Sequence, residues 1–112
     1  MTDLLSAKFA ALADPTRRAI LARLAEGETT LSDLAKPFAM SIPAVAKHLV
    51  TLERAGLIKR GRRAQSRPAS LQAAALADMT DWIERCRIHW EGSFERLAAY
   101  LESVPAKGSA DE

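Results

Sequence analysis

Seven cations fall within one short span of this chain: Lys47, Arg54, Lys59, Arg60, Arg62, Arg63 and Arg67, with Glu53 the one acid among them. The span therefore carries +6 while the whole 112-residue chain carries +2, so everything else sums to −4. Side chains of this type neutralise phosphate. Lysine does so as a point charge, and arginine through a planar fork that can hold two oxygens at once. A mildly basic net charge alone would say little. Its concentration in one segment points to nucleic acid.

Other chemistries lack their residues. His48 and His89 stand far apart, and there is neither a glycine-rich phosphate loop nor a nucleophile motif, so an enzyme is not expected. The single cysteine, Cys86, cannot form an intrachain disulfide, which fits a reducing compartment. No run approaches the roughly 18 apolar residues of a membrane span. Met1 to Leu5 has no basic start or apolar stretch of a secretory signal. These features lead to the expectation of a cytoplasmic protein with no membrane partner.

The elements that must position the cations read as mainly α with a small β-hairpin. Leu4, Leu5, Lys8, Phe9 and Leu12 recur at helical steps and define a first helix. Asp14-Pro15 ends it and opens a second, with Asp14 as cap and Pro15 in the first turn, where its missing N–H costs nothing. Ile20, Leu21 and Leu24 face inward, and Gly27 is the stop. Thr30 to Asp33 resembles a capping box and opens a short helix to about Phe38, followed by a brief turn at Ala39-Met40. Ser41 caps a fourth helix from Ile42 to about Ala55, ended by Gly56. Leu57 to Arg60 reads as a strand, Gly61 to Gln65 as a turn and Ser66 to Leu71 as the return strand, with Pro68 at an edge position. Two short helices joined by a turn and followed by a hairpin make a winged helix-turn-helix.

The last helix is expected to start near Gln72 or Ala73 and to run to about Val104 before Pro105. It carries Leu76, Met79, Ile83, Cys86, Trp90, Ser93, Leu97, Tyr100 and Val104 at alternating three- and four-residue steps, widened by Trp82, Phe94 and Leu101. So small a domain does not need that stripe for itself, and a partner helix is its natural occupant. The expected organisation is one winged-helix domain over 1–104, with a dimerisation helix at about 72–104 and a tail over 105–112.

At this point the sequence resembles a known family. "FAALADPTRRAILARLAEGE", "LSDLAKPFAMSIPAVAKHLVTLERAGLIKR" and the closing Trp82, Trp90, Leu97, Tyr100-Leu101 resemble the ArsR family of bacterial winged-helix repressors over Phe9 to Leu101. The resemblance implies a homodimer held by terminal helices, two recognition helices in successive major grooves, and repression of the protein's own or neighbouring genes. It is nearest to the branch without metal-sensing cysteines. Thr30 and Ser32 stand where that Cys-x-Cys motif would be, and neither supplies a soft thiolate. On the terminal helix His89 is followed three residues later by Gly92, and Asp78, Asp81 and Glu91 do not complete a histidine-carboxylate set. No metal and no other cofactor is expected. Ala46 replaces the serine that relatives often carry, so a hydroxyl able to contact phosphate or a base edge is gone.

On the fourth helix, Val45, Leu49 and Leu52 inward leave Pro43, Lys47, Val50 and Arg54 outward, with Ile42, Ala44 and Ala46 on the flanks. Lys47 suits guanine or phosphate, and Ile42 and Ala44 suit thymine methyls. Ser41 is first a cap and then a phosphate contact. His48 is either a phosphate donor or a satisfied imidazole at the core edge, and its spacing leaves both open. Arg60, Arg62, Arg63 and Arg67 form a basic wing for backbone and minor groove. Arg17 and Arg18 open the second helix, the unfavourable end for cations, which leaves a DNA-backbone contact open for Arg17. The dimer contacts expected are Leu4, Leu5, Met79, Trp82, Ile83, Cys86, Trp90, Phe94, Leu97 and Leu101. The expected function is a sequence-specific repressor on a pseudo-palindromic operator in double-stranded DNA. Two alternatives remain: a winged helix used for protein contacts, and a repressor switched by a small molecule or by oxidation of Cys86.

Overall fold

The computed structural model describes residues 3–61 and 67–104. The chain divides into two compact units, residues 1–79 and 80–112. The elements are α1 (Leu4–Ala11), α2 (Pro15–Leu24), α3 (Leu31–Ala35), α4 (Ile42–Arg54), β1 (Ile58–Arg60), β2 (Ala69–Leu71), a 3₁₀ turn (Ala73–Leu76) and α5 (Ala77–Ser103). The chain is a mainly helical winged helix-turn-helix with an antiparallel hairpin.

Each short helix starts at a side chain that satisfies a backbone donor with no partner inside the helix. Asp3 accepts from Ser6 N at 2.7 Å, Asp14 from Arg17 N at 3.0 Å, Thr30 from Asp33 N at 3.3 Å and Ser41 from Ala44 N at 3.2 Å. Gly56, at φ +79°, takes the left-handed conformation that turns the chain out of α4 and into β1. The core forms where the inward faces of α2, α3 and α4 meet the strands. Ile20, Leu34, Val45, Leu49, Leu52 and Leu57 are fully buried there.

In the hairpin, Ile58 pairs with Leu71, Lys59 with Ser70 and Arg60 with Ala69. A further bridge joins Thr29 to Ala69, through Thr29 N to Ala69 O at 3.1 Å and Ala69 N to Thr29 O at 2.8 Å. The segment between α2 and α3 thus adds a one-residue third strand and roots the wing in the helical core.

The structure corrects three boundaries. α3 ends at Ala35 rather than near Phe38, and the bend covers Lys36 to Met40. Pro37 has no N–H to extend the ladder, and Phe38 N turns back to Ala35 O at 3.0 Å. The return strand begins at Ala69, not Ser66, and Pro68 stands before it, accepting from Gly61 N at 2.7 Å. The terminal helix is preceded by the 3₁₀ turn at Ala73–Leu76, so its α-helical part starts at Ala77. The turn expected over Gly61 to Gln65 lies outside the described residues beyond Gly61, as do Arg62, Arg63, Ser66 and the tail from Pro105.

Lys8 departs furthest from its expected setting. It occupies an apolar slot of α1 and is 3% exposed. Its Nζ donates to the carbonyl of Ala75 at 2.7 Å and lies 3.3 Å from Asp78 Oδ2. The stem packs as a hydrocarbon while the ammonium finds oxygens in the segment that opens α5.

Candidate nucleic-acid interface

α3 and α4, joined by the bend at Lys36 to Met40, form the helix-turn-helix. Val45, Leu49 and Leu52 of α4 are buried, and this fixes the rotation of the helix. Pro43, Lys47, Val50 and Arg54 are then exposed, as are Ser41 and Ile42, while Ala44, Ala46 and His48 are half-buried on the flanks. The capped N-terminus of α4 also directs a positive dipole end outward, which favours a phosphate there.

The described part of the wing adds Lys59, Arg60 and Arg67. Arg60 is half-buried and its Nε donates to the Arg67 carbonyl at 3.1 Å. Arg67 adopts φ +34°, a conformation uncommon outside glycine, and thereby stores local strain at the base of the wing tip. Partial burial, and then the nearby Arg67 charge, hold the Arg60 guanidinium below its usual pKa, with Glu53 opposing. The group stays charged, so the repulsion persists until an anion relieves it.

Arg17 and Arg18 find their partners in the preceding helix. Arg17 Nε donates to Ala11 O at 2.6 Å and its Nη2 to Ala10 O at 3.3 Å, while Arg18 Nη1 donates to Leu12 O at 2.7 Å. Both cations begin α2 but cap the carbonyls that end α1. The dipole of the preceding helix is the one they complement, so their placement needs no DNA contact.

Arg17 also brings Nη1 to 3.4 Å from His48 Nδ1. A guanidinium can only donate, so Nδ1 is the acceptor in this contact and the ring proton belongs on Nε2. His48 is thus satisfied on one side and retains a donor on the other. The alignment of Arg17 with His48 was not legible in the sequence, because 31 residues separate them.

The expected dimer residues fall into two groups. Met79 is 4% exposed and belongs to the core of the first unit, so it contributes no free surface. Leu4 is exposed, and Leu5 is half-buried against the core. On α5, Trp82, Ile83, Trp90, Phe94, Leu97 and Leu101 are all 45–63% exposed, and Cys86 is half-buried. Arg87 holds Glu84 and Glu91 in an exposed ion-pair triplet, which keeps the Glu84 carboxyl below its ordinary pKa. Among the described residues no three His, Cys, Asp or Glu side chains gather as metal ligands, and no helix is long and apolar enough to cross a membrane.

A helix-turn-helix domain model matches residues 12–60. The transcriptional repressor SdpR of Bacillus subtilis is 39% identical over 75 residues, covering 67% of this chain and 83% of that protein. The HTH-type transcriptional regulator Rv2034 of Mycobacterium tuberculosis is 39% identical over 98 residues, or 88% and 86% of the two chains. The crystal structure of the ArsR family transcriptional regulator RHA00566 superposes with a TM-score of 0.75 at 38% identity, covering 80% of this chain and 98% of that one. The homodimeric winged helix-turn-helix DNA-binding domain Mb0332 of Mycobacterium bovis shares the fold at 22% identity and a TM-score of 0.63, over 76% and 79% of the two chains.

Proposed function

Because the chain belongs to the ArsR family of winged helix-turn-helix transcriptional regulators, we propose that it is an autoregulatory, sequence-specific repressor that binds DNA as a homodimer without a metal cofactor. Regulators of this kind are not enzymes, which agrees with the lack of a catalytic constellation in the sequence. The observation that carries the proposal is the joining of two basic surfaces in one compact unit: the exposed face of α4 with Lys47 and Arg54, and the wing with Lys59, Arg60 and Arg67.

In this reading α4 lies in the major groove. Ser41, Ile42, Pro43, Ala44, Ala46 and Lys47 at its N-terminal end face base edges and adjacent phosphates. His48 donates from Nε2, and Arg54 contacts the backbone. The wing, including Arg62 and Arg63, follows backbone and minor groove. The apolar stripe of α5, from Trp82 to Leu101, meets the same stripe of a second copy; the Mb0332 domain, which shares the fold, is homodimeric. A two-fold dimer then reads a pseudo-palindrome with half-sites about one helical turn apart, roughly 34–36 Å. A basic wing favours this over a protein-binding winged helix, which has no use for such a charge.

The test is fluorescence anisotropy of labelled DNA from the gene's own upstream region against a scrambled duplex, at about 0.15 M salt. Tight binding that the scrambled duplex cannot match supports the proposal. Equal, weak binding to both, erased by salt, would refute sequence-specific autoregulation.

A further inference from the structure

α1, α2 and α4 line a shallow cleft of about 370 Å³, open to solvent, within the first unit. Its lining divides by chemistry. Ala11 and Ala55 are buried and form a methyl floor, which Ala7 and Ala10 extend along α1. Arg17, Arg54 and Thr51 complete the lining, and no acidic side chain is part of it. The Arg54 guanidinium has no hydrogen-bond or ion-pair partner among the described residues.

We infer that this cleft binds a small amphipathic carboxylate, with its apolar body on the alanines and its carboxylate between Arg17 and Arg54, and that occupancy opposes DNA binding. An inorganic anion would leave the methyl floor wet. A neutral apolar molecule would crowd water from guanidinium groups without replacing its hydrogen bonds. A carboxylate on a short hydrocarbon satisfies both halves, and arginine receives it in bidentate geometry.

The link to DNA has a physical path. Arg54 and Ala55 stand at the C-terminal end of α4, the helix that carries Lys47. Arg17 holds the Ala10 carbonyl at 3.3 Å and lies 3.4 Å from His48 Nδ1, the longer and weaker of its contacts. A carboxylate competes for those two contacts, releases His48 from its acceptor role and takes Arg54 from phosphate. By linkage, DNA must weaken ligand binding by the same factor. The coupling half of the inference rests on the DNA-binding reading above. The site itself does not.

The experiment titrates the ¹⁵N-labelled full chain with benzoate and hexanoate, their neutral amides, and inorganic phosphate, following backbone amides of Ala10, Ala11, Thr51 and Ala55 by NMR. The expected result is saturable shifts with a carboxylate at a Kd of about 1 mM or tighter. The matching amide and phosphate should bind at least about tenfold more weakly. Ala10→Leu, an exposed helical position that the larger side chain can use to fill the cleft, should abolish the shifts while DNA affinity without ligand is retained. Arg54→Gln should weaken the carboxylate and leave the amide unchanged. Absence of saturable binding, equal binding of acid and amide, or binding that survives Ala10→Leu would overturn the site. In the second arm, saturating carboxylate should weaken specific DNA binding on the order of fivefold or more. Ligand binding with unchanged DNA affinity would overturn the effector role. A protein that recognises no DNA sequence would instead defeat the repressor reading, with the NMR arm still deciding the site.

Discussion

Lys8 Nζ lies 3.3 Å from Asp78 Oδ2, joining residues 70 positions apart, yet the lysine is 3% exposed and the aspartate 70%. The pair is therefore asymmetric. Asp78 keeps most of its hydration and loses little if the ammonium goes, whereas Lys8 also packs its stem and saturates the Ala75 carbonyl. Lys8→Ala should destabilise the fold by about 2–3 kcal/mol, from lost packing and an unpaired carbonyl. Asp78→Ala should cost less than about 1 kcal/mol, as for other solvent-screened ion pairs. Urea denaturation of both variants checks this, and equal losses would mean that the ion pair dominates after all.

Sequence was most informative where a structural decision is local. Asp14-Pro15, Ser41 and Gly56 each act within a few residues, so the starts of α2 and α4 and the exit from α4 could be read directly. The outward face of α4 followed from the period of Val45, Leu49 and Leu52. Partners distant in sequence left no such trace. Arg17 and Arg18 appeared misplaced because the carbonyls they cap belong to the preceding helix. The Thr29–Ala69 bridge is a single pair and has no period to detect. Met79 shows the limit of periodicity on the last helix, since spacing assigns a face but does not say what covers it.

The N-terminal cap of α2 should make part of the stability depend on pH. The Arg17 backbone N–H donates to Asp14 Oδ2, and this bond, with smaller help from His48 and Arg17 charge, outweighs desolvation and holds the carboxyl below its ordinary 3.8. A carboxyl depressed in the folded state stabilises fully above its unfolded pKa and loses that contribution as pH falls through the folded value. Asp14→Ala should therefore melt below the parent at pH 7, with the gap narrowing as pH is lowered beneath 3.8. Thermal melts of the two proteins across that range isolate Asp14 from Asp3 and Asp33, whose carboxyls are also depressed. A constant gap would assign the cap to neutral hydrogen bonding.

Lys47 is exposed on α4, between the buried Val45 and Leu49, on the helix that the proposed function sets in the major groove. If it reads a base, Lys47→Ala should cost about 1–3 kcal/mol on the preferred site, roughly 5- to 150-fold, and distinctly less on scrambled DNA. Arg60→Ala should weaken both duplexes alike and flatten the salt dependence by about one charge. Anisotropy titrations over a salt series separate the two roles. A uniform loss from Lys47→Ala would make it a phosphate contact.

The α5 stripe lies in the second unit and is exposed along its length. Phe94, Leu97 and Leu101 lie three and four residues apart, are each more than half exposed, and form a row that monomers seldom leave uncovered. In a dimer joined along this row, Leu97→Asp would bury a carboxylate against apolar side chains, a penalty of at least about 2–3 kcal/mol and so roughly a hundredfold in dimer affinity. Sedimentation velocity should show a shift to monomer at micromolar concentration, with the circular dichroism of the helices retained. Operator affinity should fall with it, because one recognition helix then binds without its partner. A variant that stays dimeric would move the interface off this stripe, and one that turns monomeric yet binds the operator undiminished would show that recognition needs a single copy.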